Sequence, residues 1–148
     1  MATEGIGVLV HKPRRMSSCL TLVGLLAVGG PAGCAPAGDR APAAATAAAG
    51  FFRAIGAGDG TAACAVLAPD TAAEVAQSDD RPCPEAILRQ DLPAPGPVTG
   101  SEVFGQWAQV RLTGDTVFLA AFPGGWRVVA AGCTRRAGRP YDCAVRGG

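Results

Sequence analysis

The sequence predicts an α+β fold, with N-terminal helices packed on one face of an antiparallel sheet of about four strands. Two observations carry that expectation. Apolar residues between positions 44 and 88 recur at helical spacing, whereas those between positions 98 and 131 tend to alternate with polar ones. The two patterns are segregated along the chain, helices first, and short turn signals separate the strand-like runs.

The folded part follows an address. Lys12, Arg14 and Arg15 precede an apolar run at residues 19–28 (CLTLVGLLAV), about half the length that spans a bilayer. A basic stretch followed by such a run reads as a secretion signal over residues 1–33, with residues 1–10 a candidate over-extension of the coding start. A start at Met16 would discard the basic residues, so a start upstream of Lys12 is expected. Twin-arginine export through Arg14-Arg15 fits poorly, because Met16-Ser17-Ser18 does not continue that signal.

Pro31-Ala32-Gly33-Cys34 resembles the lipobox of bacterial lipoproteins, in which two small residues precede a Cys whose thiol carries a diacylglyceryl group. Ala32, Gly33 and Cys34 match; Pro31 stands where an aliphatic residue is usual. The resemblance implies lipidation at Cys34, further acylation such as palmitate, and anchorage to the outer face of the cell membrane. A rival lies three residues on, where Ala35-Pro36-Ala37 has the A-x-A form of ordinary signal cleavage and would release a soluble, secreted chain. An Ala/Pro/Gly-rich tether is expected over residues 34–42.

From Cys34 onward ten Arg oppose eleven Asp and Glu, so the side chains sum to one negative charge. Nothing in that balance calls for nucleic acid.

The helices are expected in turn. Ala44, Ala47, Ala48, Phe51, Phe52 and Ile55 fall on one stripe of a first helix that stops at Gly56 and Gly58. Asp59 caps a second, whose apolar face is Ala63, Val66 and Leu67 and which Pro69 breaks. Residues 71–74 (TAAE) have the capping-box form and start a third helix that ends at Ser78-Asp79-Asp80. Pro84 sits in the first turn of a fourth, carrying Ile87 and Leu88.

After a Pro-rich stretch at 93–97 the period becomes two. Residues 98–104 form the first expected strand. Ala108, Val110 and Leu112 alternate with Gln109, Arg111 and Thr113; Gly114-Asp115 turns the chain into residues 116–122, where Phe118 and Phe122 share a face; Pro123-Gly124-Gly125 turns it into residues 126–131.

The cysteines agree with an oxidising compartment. Cys64, Cys83, Cys133 and Cys143 remain after either cleavage, and three pairings are open to them. Chain proximity favours Cys64 with Cys83 and Cys133 with Cys143. A zinc site is the alternative for four thiols, but C-x-x-C spacing is lacking, so no metal is expected.

The stretch at 47–74 (AAAGFFRAIGAGDGTAACAVLAPDTAAE) resembles the opening of the NTF2-like superfamily, the cystatin-like α+β cone. Residues 109–133 (QVRLTGDTVFLAAFPGGWRVVAAGC) resemble its closing strands. Together with the lipobox and the paired cysteines they resemble small bacterial lipoproteins carrying such a domain. The resemblance implies an NTF2-like domain over residues 43–133, a curved sheet, and a cone whose enzymes, cyclases and isomerases, hold an acid or His as general base.

Little supports that chemistry here. The only His, His11, lies in the signal, and the only Tyr, Tyr141, lies past the expected strands. Asp59, Asp70, Asp79, Asp80 and Asp115 are placed at caps and turns, and Glu102 and Arg111 on the solvated side of strands. No catalytic residue and no cofactor is nominated, and a buried carboxylate with a displaced pKa would revive the enzyme reading.

Two binding surfaces remain. Phe51, Phe52, Trp107, Phe118 and Trp126 are candidates to line an apolar pocket for a small hydrophobic ligand, with ordinary core packing as the alternative. Residues 134–148 are expected as an Arg-rich tail closed by a disulfide, in which Arg135, Arg136 and Arg139 beside Tyr141 offer a contact surface for anionic lipid or an envelope protein, with a plain solvated loop as the alternative. The expected function is a non-catalytic binding or accessory role outside the membrane.

Overall fold

The computed structural model describes residues 37–138 and 140–147. The stretch read as a secretion signal, the expected lipidation residue Cys34, Ala35 and Pro36 of the alternative cleavage site, and Arg139 lie outside the described residues. Among the described residues five helical segments are followed by five strands: α1 (Ala37–Gly56), α2 (Gly60–Val66), α3 (Pro69–Asp79), α4 (Cys83–Ala86), a 3-10 turn (Ile87–Arg89), then β1 (Val98–Phe104), β2 (Trp107–Leu112), β3 (Thr116–Phe122), β4 (Gly125–Thr134) and β5 (Asp142–Arg146). The strands form one open antiparallel meander in the order β1-β2-β3-β4-β5.

Helix α1 reaches back through residues 37–42, the stretch read as tether. Pro42 lies inside it, where its missing N–H removes one helical bond. The Thr46 hydroxyl donates to the Pro42 carbonyl (2.9 Å), and Ser101 of β1 donates to the Ala41 carbonyl (2.8 Å), tying the early turns to the sheet.

The expected stripe faces inward: Ala44, Ala48, Phe51 and Phe52 are buried, with Ala47 and Ile55 packed beside them. Opposite stand Ala108, Val110 and Leu112 of β2, Val117 and Leu119 of β3, Val128 and Ala131 of β4, and Val145 of β5. Small side chains on α1 let the helix approach the sheet closely, and Phe51 fills the middle of the layer.

Asp59 caps α2 as expected, accepting from the Ala62 N–H (2.9 Å). The capping box at 71–74 does not form. Helix α3 starts earlier, with Pro69 in its first turn after Ala68, because Leu67 and Ala68 are held by β4: Leu67 bridges Val128 and the Ala68 N–H donates to the Val128 carbonyl (2.8 Å). Thr71 is buried instead and donates to the Val129 carbonyl (3.3 Å). Asp80 ends α3 in a left-handed conformation (φ 49°).

The sheet has five strands rather than about four. The tail expected as a loop supplies β5, which pairs with β4 through Cys133↔Cys143 and Ala131↔Val145. Disulfides join Cys64 to Cys83 and Cys133 to Cys143. The first ties α2 to α4; the second staples β4 to β5. With all four thiols in disulfides, the zinc alternative falls.

Candidate functional site

Strand parity decides where the aromatic side chains go. On β2 and β3 the inward positions are held by Ala108, Val110, Leu112, Val117 and Leu119, which leaves Trp107 and Phe118 on the opposite face. Phe51 and Phe52 pack edge to face within the core (5.1 Å between ring centres). Trp126 is half-buried where β4 begins, with the Arg40 guanidinium stacked over its ring at 5.2 Å. The five aromatic residues nominated for one apolar pocket are therefore divided between core, outer face and strand end, and they do not line a common cavity.

The outer face has two halves. Toward the β2–β3 turn it is polar and covered. Arg111 makes a bidentate pair with Glu102, both half-exposed as expected for outward strand positions. Tyr141 folds over Phe118 edge to face (5.0 Å), and its hydroxyl accepts from Gln109 Nε2 (3.1 Å) and from Arg135 Nε and Nη2 (3.2 and 2.8 Å). Arg135 also stacks on the Tyr141 ring, and Arg136 pairs with Asp142. Of the nominated contact surface, Arg135, Arg136 and Tyr141 come together as a cluster engaged with itself and with the sheet.

The other half of the outer face is bare. Phe104 is 63% exposed, Trp107 59% and Phe122 38%. They flank two hairpin turns, Gly105-Gln106 between β1 and β2 and Pro123-Gly124 between β3 and β4, which a meander places at the same end of the sheet. A groove of about 370 Å³ runs beside Trp107 and Phe122 and is also lined by Ala68, Asp70, Thr71 and Arg146. Trp107 is a candidate for an interior pocket by sequence; Phe104 is not, although its place beside a turn, at a strand end, carries the signal.

One acidic side chain has a role that turn chemistry alone does not reveal. Asp115, 7% exposed, follows the β2–β3 turn and accepts three backbone N–H bonds, from Thr116 (2.6 Å), Gly132 (2.8 Å) and Cys133 (2.8 Å). Pairing of β3 with β4 ends at Phe118↔Ala130, so β4 has no strand partner on that side beyond this point. The left-handed conformation of Gly132 (φ 67°) aims consecutive N–H groups at one carboxylate. Burial pushes the Asp115 carboxyl above its ordinary value, and the three N–H bonds pull against that shift. With its oxygens spent on the backbone, Asp115 stitches strands together rather than facing a substrate.

Among the described residues no group of three or more His, Cys, Asp or Glu side chains is placed to hold a metal ion. Among them, too, no helix is long and apolar enough to cross a membrane. No family model, no curated protein and no solved structure matches the chain.

Proposed function

We propose that this protein is a non-catalytic, extracytoplasmic lipoprotein, anchored through Cys34, whose NTF2-like domain works by its surface as a binding or accessory module. The observation that carries the reading is the filled layer between α1 and the sheet. Phe51, Val110, Val117, Leu119 and Val128 are fully buried there, and the buried carboxylate, Asp115, is bound by backbone N–H groups. An enzyme of the cyclase or isomerase type would need that layer hollow and a carboxylate free within it.

Two features support the location and the fold family. The disulfides suit an oxidising compartment. A long first helix, shorter helices and an antiparallel meander in that order suit the NTF2-like resemblance.

Metabolic labelling with palmitate, followed by membrane fractionation, tests the anchor. The wild-type protein is expected to take up label and sediment with membranes, and Cys34→Ser to lose both. Unlabelled wild-type protein in the medium, beginning at Gly38, would overturn the reading in favour of a secreted binder.

A further inference from the structure

We propose that the aromatic end of the sheet, formed by Phe104, Trp107 and Phe122, docks on the lipid bilayer. This rests on the Cys34 anchor proposed above and adds the orientation of the domain.

The start of α1 fixes that end of the fold. Arg40 donates to Gln106 in the β1–β2 turn (3.2 Å) and stacks on Trp126 at the start of β4. The same end carries both hairpin turns and all three exposed aromatic residues. Cys34 stands three residues before Ala37, and consecutive Cα atoms are about 3.8 Å apart, so the lipid-bearing residue lies within roughly 11 Å of the first residue of α1. A diacylglyceryl group at Cys34 therefore holds the bilayer surface against this end and not the other.

The opposite end is farther than such a reach. Strand β4 runs ten residues from Gly125 to Thr134, roughly 30 Å at the usual rise per residue. The Arg135–Tyr141 cluster sits at its far end, with its guanidinium groups already engaged.

The chemistry of the near end suits a lipid interface. Phe and Trp side chains at strand ends beside turns suit the zone between headgroups and acyl chains. Arg127 beside Phe122 donates to the Ala65 carbonyl, and Arg146 and Asp70 share the groove beside Trp107, with Arg146 close to Asp142, so apolar contact supplies the attraction. Tethering at Cys34 raises the local concentration of bilayer, and a patch too small to bind membranes alone suffices.

The test uses the mature lipidated protein in vesicles of phosphatidylethanolamine and phosphatidylglycerol, with phospholipid brominated near the headgroup end of its acyl chains. Tryptophan emission is expected to be quenched by the brominated lipid, and Trp107→Phe to remove more than half of that quenching. Trp107 is exposed, so the substitution leaves the fold intact; Trp126→Phe, which keeps Trp107 alone, is expected to retain the quenching. Protein that floats with the vesicles while Trp107 stays unquenched overturns the docking and leaves the anchor standing. Trp107 shielded from aqueous acrylamide in a concentration-dependent way without lipid shows a second copy covering the patch, which also overturns it. Wild-type protein that does not float overturns the anchor and the docking together.

Discussion

Replacing Asp115 removes a carboxylate that three backbone N–H groups depend on. Asp115→Ala leaves the Gly132 and Cys133 donors without a partner at a site where Cys133 itself is buried. An orphaned buried donor costs about 1–3 kcal/mol, so the variant is expected to lose roughly 2–6 kcal/mol, a large share of a small domain's stability. Asp115→Asn keeps one oxygen for two of the donors but turns an amide NH2 toward a backbone N–H, at about 1–3 kcal/mol.

The pH dependence separates burial from hydrogen bonding. Because burial raises the folded-state value above 3.8, the folded chain holds the Asp115 proton more tightly than the unfolded chain does. The contribution is therefore fully present below the unfolded value and is lost as pH rises through the folded one. Urea unfolding of wild type and Asp115→Asn between pH 3 and pH 7 measures this. The wild-type advantage over the variant is expected to shrink across the acidic part of that range. An advantage that grows with pH would refute the reasoning, since it would mean that the three N–H bonds outweigh burial.

Other substitutions probe the packing. Phe51→Ala is expected to cost about 3–5 kcal/mol in denaturant unfolding, because it removes a fully buried ring from the centre of the layer and leaves a cavity. Gly60→Ala is expected to be among the most damaging single-methyl additions, since its Cβ would stand 1.8 Å from the Pro84 carbonyl oxygen across the α2–α4 contact; Gly58→Ala, with open space but φ 69°, is expected to cost only about 1 kcal/mol, and thermal melts rank the two. Removing either disulfide by paired Cys→Ser changes is expected to cost about 3 kcal/mol, with the 19-residue Cys64–Cys83 separation slightly more costly than the 10-residue one between Cys133 and Cys143. Unequal losses of several kcal/mol would show strain or residual structure beyond loop closure.

The helical half was legible because periodicity and caps agree there: the stripe at Ala44, Ala48, Phe51 and Phe52, the Asp59 cap and the stop at Asp80 all appear in the structure. The start of α3 was misread because a tertiary contact, the Leu67–Val128 bridge, overrode the local capping signal at Thr71. Strand β5 was missed because only Cys143 and Val145 mark its inward face, between residues that read as loop. The cysteines held the missing information, since a disulfide closing ten residues beside a strand is also how a hairpin is stapled.

The aromatic residues divide between core and outer face for a different reason. Aromatic side chains are expected to claim the core first, but Ala, Val and Leu already occupy the inward parity of β2 and β3, so Trp107 and Phe118 had to face outward. Sequence spacing contained that parity. Which end of the sheet carries the start of α1 was not legible, because it depends on Arg40 meeting Gln106, 66 residues away.

Intact mass of the protein isolated from its own membranes, measured with and without reductant, tests the central claim most directly. The account predicts a chain beginning at Cys34, heavier than its sequence by an acylated glyceryl group and lighter by two hydrogens for each of its two disulfides until reduced. A chain beginning at Gly38 with no added lipid would contradict it.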